Sequence, residues 1–154
     1  MPYTITVNPD FKNSVHKIAL GLVRYAARVA VGEIRQSMDK SPATGRTYPS
    51  RKGDGSTHRA SAPGEAPAVD TKELRDSIAA AVTETNTGGV AIVGSNAYDK
   101  PVWRWLEFGT SRIKPRPSAR PAFGVAMDKT RAMLKTGAGK SLKSFEGSFG
   151  SEVR

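Results

Sequence analysis

The sequence has 154 residues, 38% of them hydrophobic, and a formal net charge of +10 at pH 7. A chain of this size is expected to form one domain with a modest core. The absence of cysteine excludes disulfides, thiolate zinc sites and cysteine nucleophiles. Lys17, Arg24, Arg28 and Arg35 interrupt the longest apolar region, so neither a membrane span nor a membrane partner is expected.

The first forty residues predict a strand and a long helix. Tyr3, Ile5 and Val7 alternate with threonines, which is typical of a short strand, and an Asn-Pro turn follows. From Phe11 to Ile34, apolar residues then recur every three or four positions. This spacing predicts an amphipathic helix with Asp10 as its N-cap and its end near Lys40.

Residues 41–69 contain four prolines and four glycines and hardly any large aliphatic side chain. This composition predicts a long exposed loop or arm. Segments of this length without regular structure are uncommon inside compact domains, and they are usually functional or disordered until bound. A surface loop without a partner is the alternative that composition leaves open.

The second half of the chain predicts a hairpin and two helices. Ile78, Ala80 and Val82 alternate with polar or small residues, residues 86–89 supply turn chemistry, and residues 90–94 form the returning strand. A short helix is expected from Pro101 to Phe108, where Gly109 ends it, and another from Pro121. The tail, residues 137–154, is rich in glycine and serine and is expected to be flexible.

Together these elements predict a single α+β domain over residues 1–136. A long N-terminal amphipathic helix and a C-terminal helix would pack on a small, mostly antiparallel sheet. The 41–69 arm would belong to this domain, and the basic tail would follow it.

No catalytic, metal or cofactor site is expected, and the chain is therefore predicted not to be an enzyme. The Gly-Ala-Gly-Lys-Ser run in the tail fails the phosphate-loop pattern, because Leu134 stands where glycine is needed. His16 and His58 are far apart, and the default role for each is a packed or solvated histidine. The loop carboxylates are expected to be caps and surface charges; they are Asp54, Glu65, Asp70 and Glu107.

The C-terminal third is the basic end of the chain, with nine lysines or arginines between residues 111 and 145 against the single acid Asp128. A basic surface is predicted from Arg112, Lys114, Arg116, Arg120, Lys129, Arg131 and Lys135. Nonspecific nucleic-acid binding would use these residues against phosphates. A solvated basic face is the alternative, since no sequence-specific DNA-binding or RNA-binding motif accompanies them.

Two stretches, residues 58–78 and 98–123, together resemble the neck and tail-completion proteins of long-tailed bacteriophages. The first reads HRASAPGEAPAVDTKELRDSI and the second YDKPVWRWLEFGTSRIKPRPSARPAF. The matching positions are Ser61, Ala62, Pro63, Gly64, Glu65, Pro67, Asp70, Thr71, Leu74, Ser77, Ile78, Tyr98, Leu106, Glu107, Phe108, Gly109, Thr110, Arg116, Pro117, Pro121 and Ala122. The chain departs from the family pattern at Lys72, usually glycine, and at Ser118 with Ala119, where an aromatic commonly stands.

The resemblance implies a structural virion protein, made in the host cytoplasm, that completes the upper end of the tail and joins it to the head. The task would resemble that of the tail protein Z of phage lambda, and the subunits would form a ring, sixfold by analogy. Expected partners are other copies of the chain and the neck, tail-terminator and tail-tube proteins, with possible nonspecific contact to packaged DNA. The basic surface would then face either the DNA-containing lumen or an acidic tail-tube surface.

The same resemblance implies where subunits would meet. The expected interface residues are Trp103, Trp105, Leu106, Glu107, Phe108, Gly109, Thr110, Arg59, Pro63, Glu65 and Pro67. Trp103 and Trp105 are two positions apart on a short helix, so they point to different sides, and one of them is expected to pack in the core instead.

Overall fold

The computed structural model describes residues 9–95 and 101–149. In chain order the elements are α1 (Pro9–Asp39), β1 (Thr47–Pro49), β2 (Thr57–Arg59), α2 (Glu73–Asp76), β3 (Ile78–Thr85), β4 (Gly88–Ser95), α3 (Val102–Phe108) and α4 (Ala119–Phe149). Two long helices accompany two antiparallel two-stranded sheets, which confirms the predicted α+β class. The strand predicted at residues 3–7 lies outside the described residues.

The first helix is amphipathic, as predicted. Its buried positions are Leu20, Ala27, Ala30, Ile34 and Met38, all on the face that meets the rest of the chain. The helix begins at Pro9, so Asp10 lies within its first turn and not at the predicted N-cap. Proline is well tolerated at a helix start, because its missing N–H has no helical partner there.

The predicted hairpin is confirmed as β3 and β4, which pair from Ile78 opposite Ser95 to Thr85 opposite Gly88. It lies along α1. At one end the Arg35 guanidinium donates to the Ile78 carbonyl at 2.8 Å. At the turn end, a Cβ added to Gly88 would come within 2.9 Å of the Ala19 Cβ, so the backbone itself packs on the helix.

The turn that precedes α2 contains one of the departures from the family pattern. Lys72 has a φ of 67° and a ψ of −12°, which is the left-handed conformation. Glycine adopts this conformation without the steric cost of a Cβ, which accounts for the usual glycine at this position. The chain keeps the turn with a lysine instead.

Residues 41–69 contain one element of regular structure, a short antiparallel hairpin. Strands β1 and β2 pair from Thr47 opposite Arg59 to Pro49 opposite Thr57. Beyond β2 the chain returns to the body, where Ser61 and Pro67 are buried. The Arg116 guanidinium anchors this segment through the Ser61 carbonyl, and its role as an arm stays a prediction.

The hydrophobic core lies where α1, the β3–β4 hairpin and the start of α4 meet. Its fully packed members are Ile34, Met38, Ile78, Ala119 and Ala122, and Val31, Val69, Leu74, Val93 and Trp103 pack around them. Small residues at the start of α4 allow this helix to approach α1 closely.

The last helix packs on α1 and is longer than expected. It begins at Ala119, two residues before Pro121, and continues to Phe149, past the point at which the sequence predicted a flexible tail. Ala126 and Thr130 are buried on its inner face. Within the described residues, no helix is both long and apolar enough to cross a membrane.

Candidate functional site

The two motif stretches of the sequence meet in space and build one junction. The Gly64 N–H donates to the Pro115 carbonyl at 2.9 Å. The Arg116 side chain donates through Nε to the Ser61 carbonyl at 2.9 Å, and its backbone N–H donates to the Leu106 carbonyl at 2.6 Å. Residues 55 positions apart are therefore held side by side, and the motif positions serve first to form this junction.

The carboxylate of Glu107 caps the beginning of α4 from the neighbouring helix α3. Oε2 accepts the N–H groups of Ser118 and Ala119 at 2.8 and 2.9 Å, and Oε1 accepts that of Arg120 at 3.1 Å. The next residue, Pro121, has no N–H to satisfy. The Glu107 carboxylate thus accepts the backbone N–H groups that have no partner within α4. The dipole of this helix also favours a negative charge at its N-terminus.

Glu107 is only 4% exposed. The expectation that it is a cap is confirmed, and its carboxylate bonds within its own chain. A contact of this carboxylate with a second subunit, as the interface prediction had it, would have to displace those bonds.

The turn after α3 depends on Gly109. This residue has a φ of 77° and a ψ of 178°, and a Cβ placed on it would lie 2.8 Å from the Ile113 carbonyl oxygen. The turn is closed by the Thr110 N–H, which donates to that same oxygen at 2.8 Å. The Thr110 hydroxyl in turn accepts the Arg112 and Ile113 N–H groups at 3.1 and 3.0 Å. The prediction that Gly109 ends the helix is confirmed.

The two tryptophans have different surroundings. Trp103 packs against the hydrophobic core, and its indole N–H donates to the Ser118 hydroxyl at 3.3 Å. Ser118 is fully buried, so at this departure from the family pattern a hydroxyl supports the tryptophan where an aromatic commonly stands. Trp105 is half-buried on α3. Phe108 is 59% exposed, and the Arg120 guanidinium carbon lies 5.4 Å from its ring centre.

The predicted interface residues Arg59 and Glu65 form hydrogen bonds with other residues of the 41–69 segment. Arg59 donates through Nε to the Gly45 carbonyl at 3.1 Å. Glu65 accepts the Thr44 hydroxyl and the Ala62 N–H, and these hydrogen bonds, the Thr44 hydroxyl first, lower the pKa of its carboxyl. Of the two prolines predicted for the interface, Pro63 is exposed and Pro67 is buried.

A groove of about 510 Å³ lies between the β1–β2 hairpin and the turn that follows α3. Its less exposed lining includes Pro67, Leu74, Leu106 and Ile113. Arg112 and Lys114 line it from more exposed positions. Both motif stretches contribute to this groove.

The family of the chain is identified by a match over residues 10–109, well over half of its length. The matching family model is described as "Bacteriophage HK97-gp10, putative tail-component". The chain belongs to this family. No curated protein and no solved structure matches it. The match runs from α1 to Gly109 at the end of α3. It therefore includes α1, both two-stranded sheets and the first motif stretch.

Membership makes this chain a structural phage tail component, which places it in the virion and is consistent with a protein that is not an enzyme. Among the described residues of the tail component, no group of three or more histidine, aspartate and glutamate side chains could hold a metal ion. His16 contacts Glu84 at 2.8 Å, where it joins α1 to the hairpin.

The predicted basic surface of the tail component divides into two sets. Arg116 binds Ser61 within the junction, Lys129 pairs with Glu33, and Arg131 contacts Asp128 at 3.4 Å. The other four side chains are exposed, and the described part of the chain offers none of them a carboxylate partner; they are Arg112, Lys114, Arg120 and Lys135. Of these four, Arg112 and Lys114 line the groove, and Arg120 and Lys135 lie on α4.

The groove itself was not predicted, because its lining comes from two separate segments, residues 48–74 and 106–116. Leu106 and Arg116 were selected from the motif, whereas Tyr48, Leu74 and Ile113 were not assigned to any site. The signal that could have indicated the groove was the pairing of two motif stretches in one family pattern, since positions that are constrained together are often in contact.

Proposed function

We propose that this tail component completes the upper end of the tail and joins it to the head, as a ring of identical subunits in the neck. Its partners there would be further copies of itself and the neck, tail-terminator and tail-tube proteins. Membership of the tail-component family supports this role. The subunit surface supports the assembly, because it presents apolar patches of the kind that subunit contacts bury.

The observation that carries the proposal of a ring is the outer face of the β3–β4 hairpin. Ile92 is 71% exposed and Val90 is 55% exposed, and they lie on the same face of β4. Glu84 is the single charged residue between positions 77 and 95. In a chain with a net charge of +10, copies repel one another. An uncharged face is where such copies can approach most closely.

A second apolar patch lies on α4 and differs in kind from the first. Phe123, Met127 and Leu134 are exposed, and their spacing of four and seven residues places them on one side of the helix. A ring needs two different patches on each subunit, one for each neighbour. We therefore pair the hairpin face of one subunit with the α4 patch of the next.

Two variants test this head-to-tail contact. Ile92→Glu removes the hairpin face and Met127→Glu removes the α4 patch, so each variant alone is expected to be monomeric by light scattering while the unaltered chain forms rings. Each variant keeps one intact patch. A mixture of the two is therefore expected to form a one-to-one dimer.

The control for this pair is Gln36→Glu, which makes the same charge change at an exposed position of α1. It is expected to assemble like the unaltered chain. Monomers of the unaltered chain up to about 1 mM would contradict ring assembly by the protein alone. Normal rings of Ile92→Glu would contradict the assigned contact but not the ring.

A further inference from the structure

We propose that the groove between the β1–β2 hairpin and the turn after α3 binds an acidic segment of another virion protein. Apolar side chains of that segment would fill the groove, and its carboxylates would meet Arg112 and Lys114. The inference rests on the proposed function in one respect, that the partner is a neighbouring protein of the virion.

The positive charge of the groove favours a negatively charged ligand. Arg112, Lys114 and Arg116 all line it, and among the described residues no aspartate or glutamate does. Arg116 is half-buried and bonded to Ser61, so the two exposed cations are the groups that a ligand can reach. Cations in a concavity focus the electrostatic potential, so a negatively charged partner is strongly favoured.

The apolar side chains that line the groove favour a polypeptide ligand over DNA. Pro67, Leu74, Leu106 and Ile113 offer aliphatic surface inside a concave space of about 510 Å³. A polypeptide can place an apolar side chain there and a carboxylate one or two positions away. A DNA backbone offers phosphates but no aliphatic group for this lining, and a duplex is too broad to enter a groove of this volume.

The walls of the groove are fixed before any ligand binds. One wall is tied to the other by the Gly64 to Pro115 and Arg116 to Ser61 hydrogen bonds, both 2.9 Å. The turn that carries Arg112 and Ile113 is closed by the hydrogen bonds of Thr110. Because a preformed site loses little conformational entropy on binding, a short segment can bind it with measurable affinity.

Binding of labelled peptides to the full chain tests the proposal. One peptide alternates glutamate with leucine and a second, of equal charge, alternates glutamate with serine; a short DNA duplex is the third probe. Fluorescence anisotropy is measured for the unaltered chain, for Lys114→Glu in the groove and for Lys135→Glu on α4. These two variants make the same charge change at exposed lysines, and only Lys114 lines the groove. Ile113→Ala reduces the aliphatic surface without changing charge.

We expect the glutamate–leucine peptide to bind most tightly, and Lys114→Glu to weaken it about tenfold or more while Lys135→Glu changes it less than about twofold. Ile113→Ala is expected to weaken this peptide and to leave the glutamate–serine peptide unchanged. Equal losses in the two lysine variants would overturn the proposal, since they would show a response to net charge alone.

Three further results would also overturn it. They are equal affinity for the two peptides, absence of peptide binding up to about 1 mM, and a DNA duplex that binds more tightly than either peptide and loses its affinity in Lys114→Glu. The last result would make the groove a nucleic-acid site. None of these outcomes bears on ring assembly, which the sizing of Ile92→Glu and Met127→Glu tests separately.

Discussion

Replacement of Glu107 by glutamine is expected to lower the free energy of unfolding by roughly 2–4 kcal/mol. The buried carboxylate accepts three backbone N–H groups at the start of α4. Glutamine has nearly the same shape, but its amide nitrogen is a donor and would face a donor. At least one backbone N–H would lose its partner, and the favourable charge at the helix N-terminus would be lost as well.

The measurement is urea unfolding followed by circular dichroism, with Asp128→Asn as the control. Asp128 lies on the same helix, but its side chain is largely exposed and contacts Arg131 at 3.4 Å, so its replacement should change stability by less than about 0.5 kcal/mol. A loss below about 1 kcal/mol in Glu107→Gln would show that water or other groups replace the cap.

Gly109→Ala is expected to be similarly severe, with a loss of roughly 2–4 kcal/mol. The added Cβ would lie 2.8 Å from the Ile113 carbonyl oxygen and 2.9 Å from the Pro115 Cδ. Its backbone angles are also those that glycine alone adopts readily. The turn would have to open, and the wall of the groove that carries Ile113 would move with it.

Gly124→Ala is the matched control for this substitution. Gly124 lies within α4, and a Cβ added to it meets no atom of the described residues within 4 Å, so alanine should raise stability by about 0.5–1 kcal/mol. Unfolding midpoints of the two variants should therefore move in opposite directions. If Gly109→Ala unfolds at the same midpoint as the unaltered chain, the turn is not constrained as the contacts indicate.

The local patterns of the sequence predicted most of the elements. The period of α1 and the alternation in β3 and β4 are local properties, because each follows from which side of one element is buried. The helix end at Gly109 is also local, since it needs only one residue with a positive φ.

Contacts between distant segments could not be predicted in the same way. Glu107 was expected to be a cap, but the sequence does not say that the capped helix is α4, or that the cap moves the start of that helix to Ala119. The 41–69 segment was predicted to be an exposed loop or arm because it has hardly any large aliphatic side chain, and its β1–β2 pairing was not predicted. Its anchors are single hydrogen bonds, such as Arg116 to Ser61, that no local pattern records.

The two motif stretches therefore have two consequences for the tail component. They build a rigid junction around Glu107 and Gly109, and they leave beside it a basic, partly aliphatic groove. The proposed subunit contacts lie elsewhere, on the outer face of the hairpin and on α4. A protein arranged in this way could form a ring through one set of surfaces and hold a neighbouring virion protein through another.

Electron microscopy of lysates from the parent phage with this gene deleted tests the proposed neck function most directly. The account predicts full heads beside separate tails and no joined particles, with joining restored when the unaltered gene is supplied on a plasmid. Normal infectious virions from the deletion would contradict it.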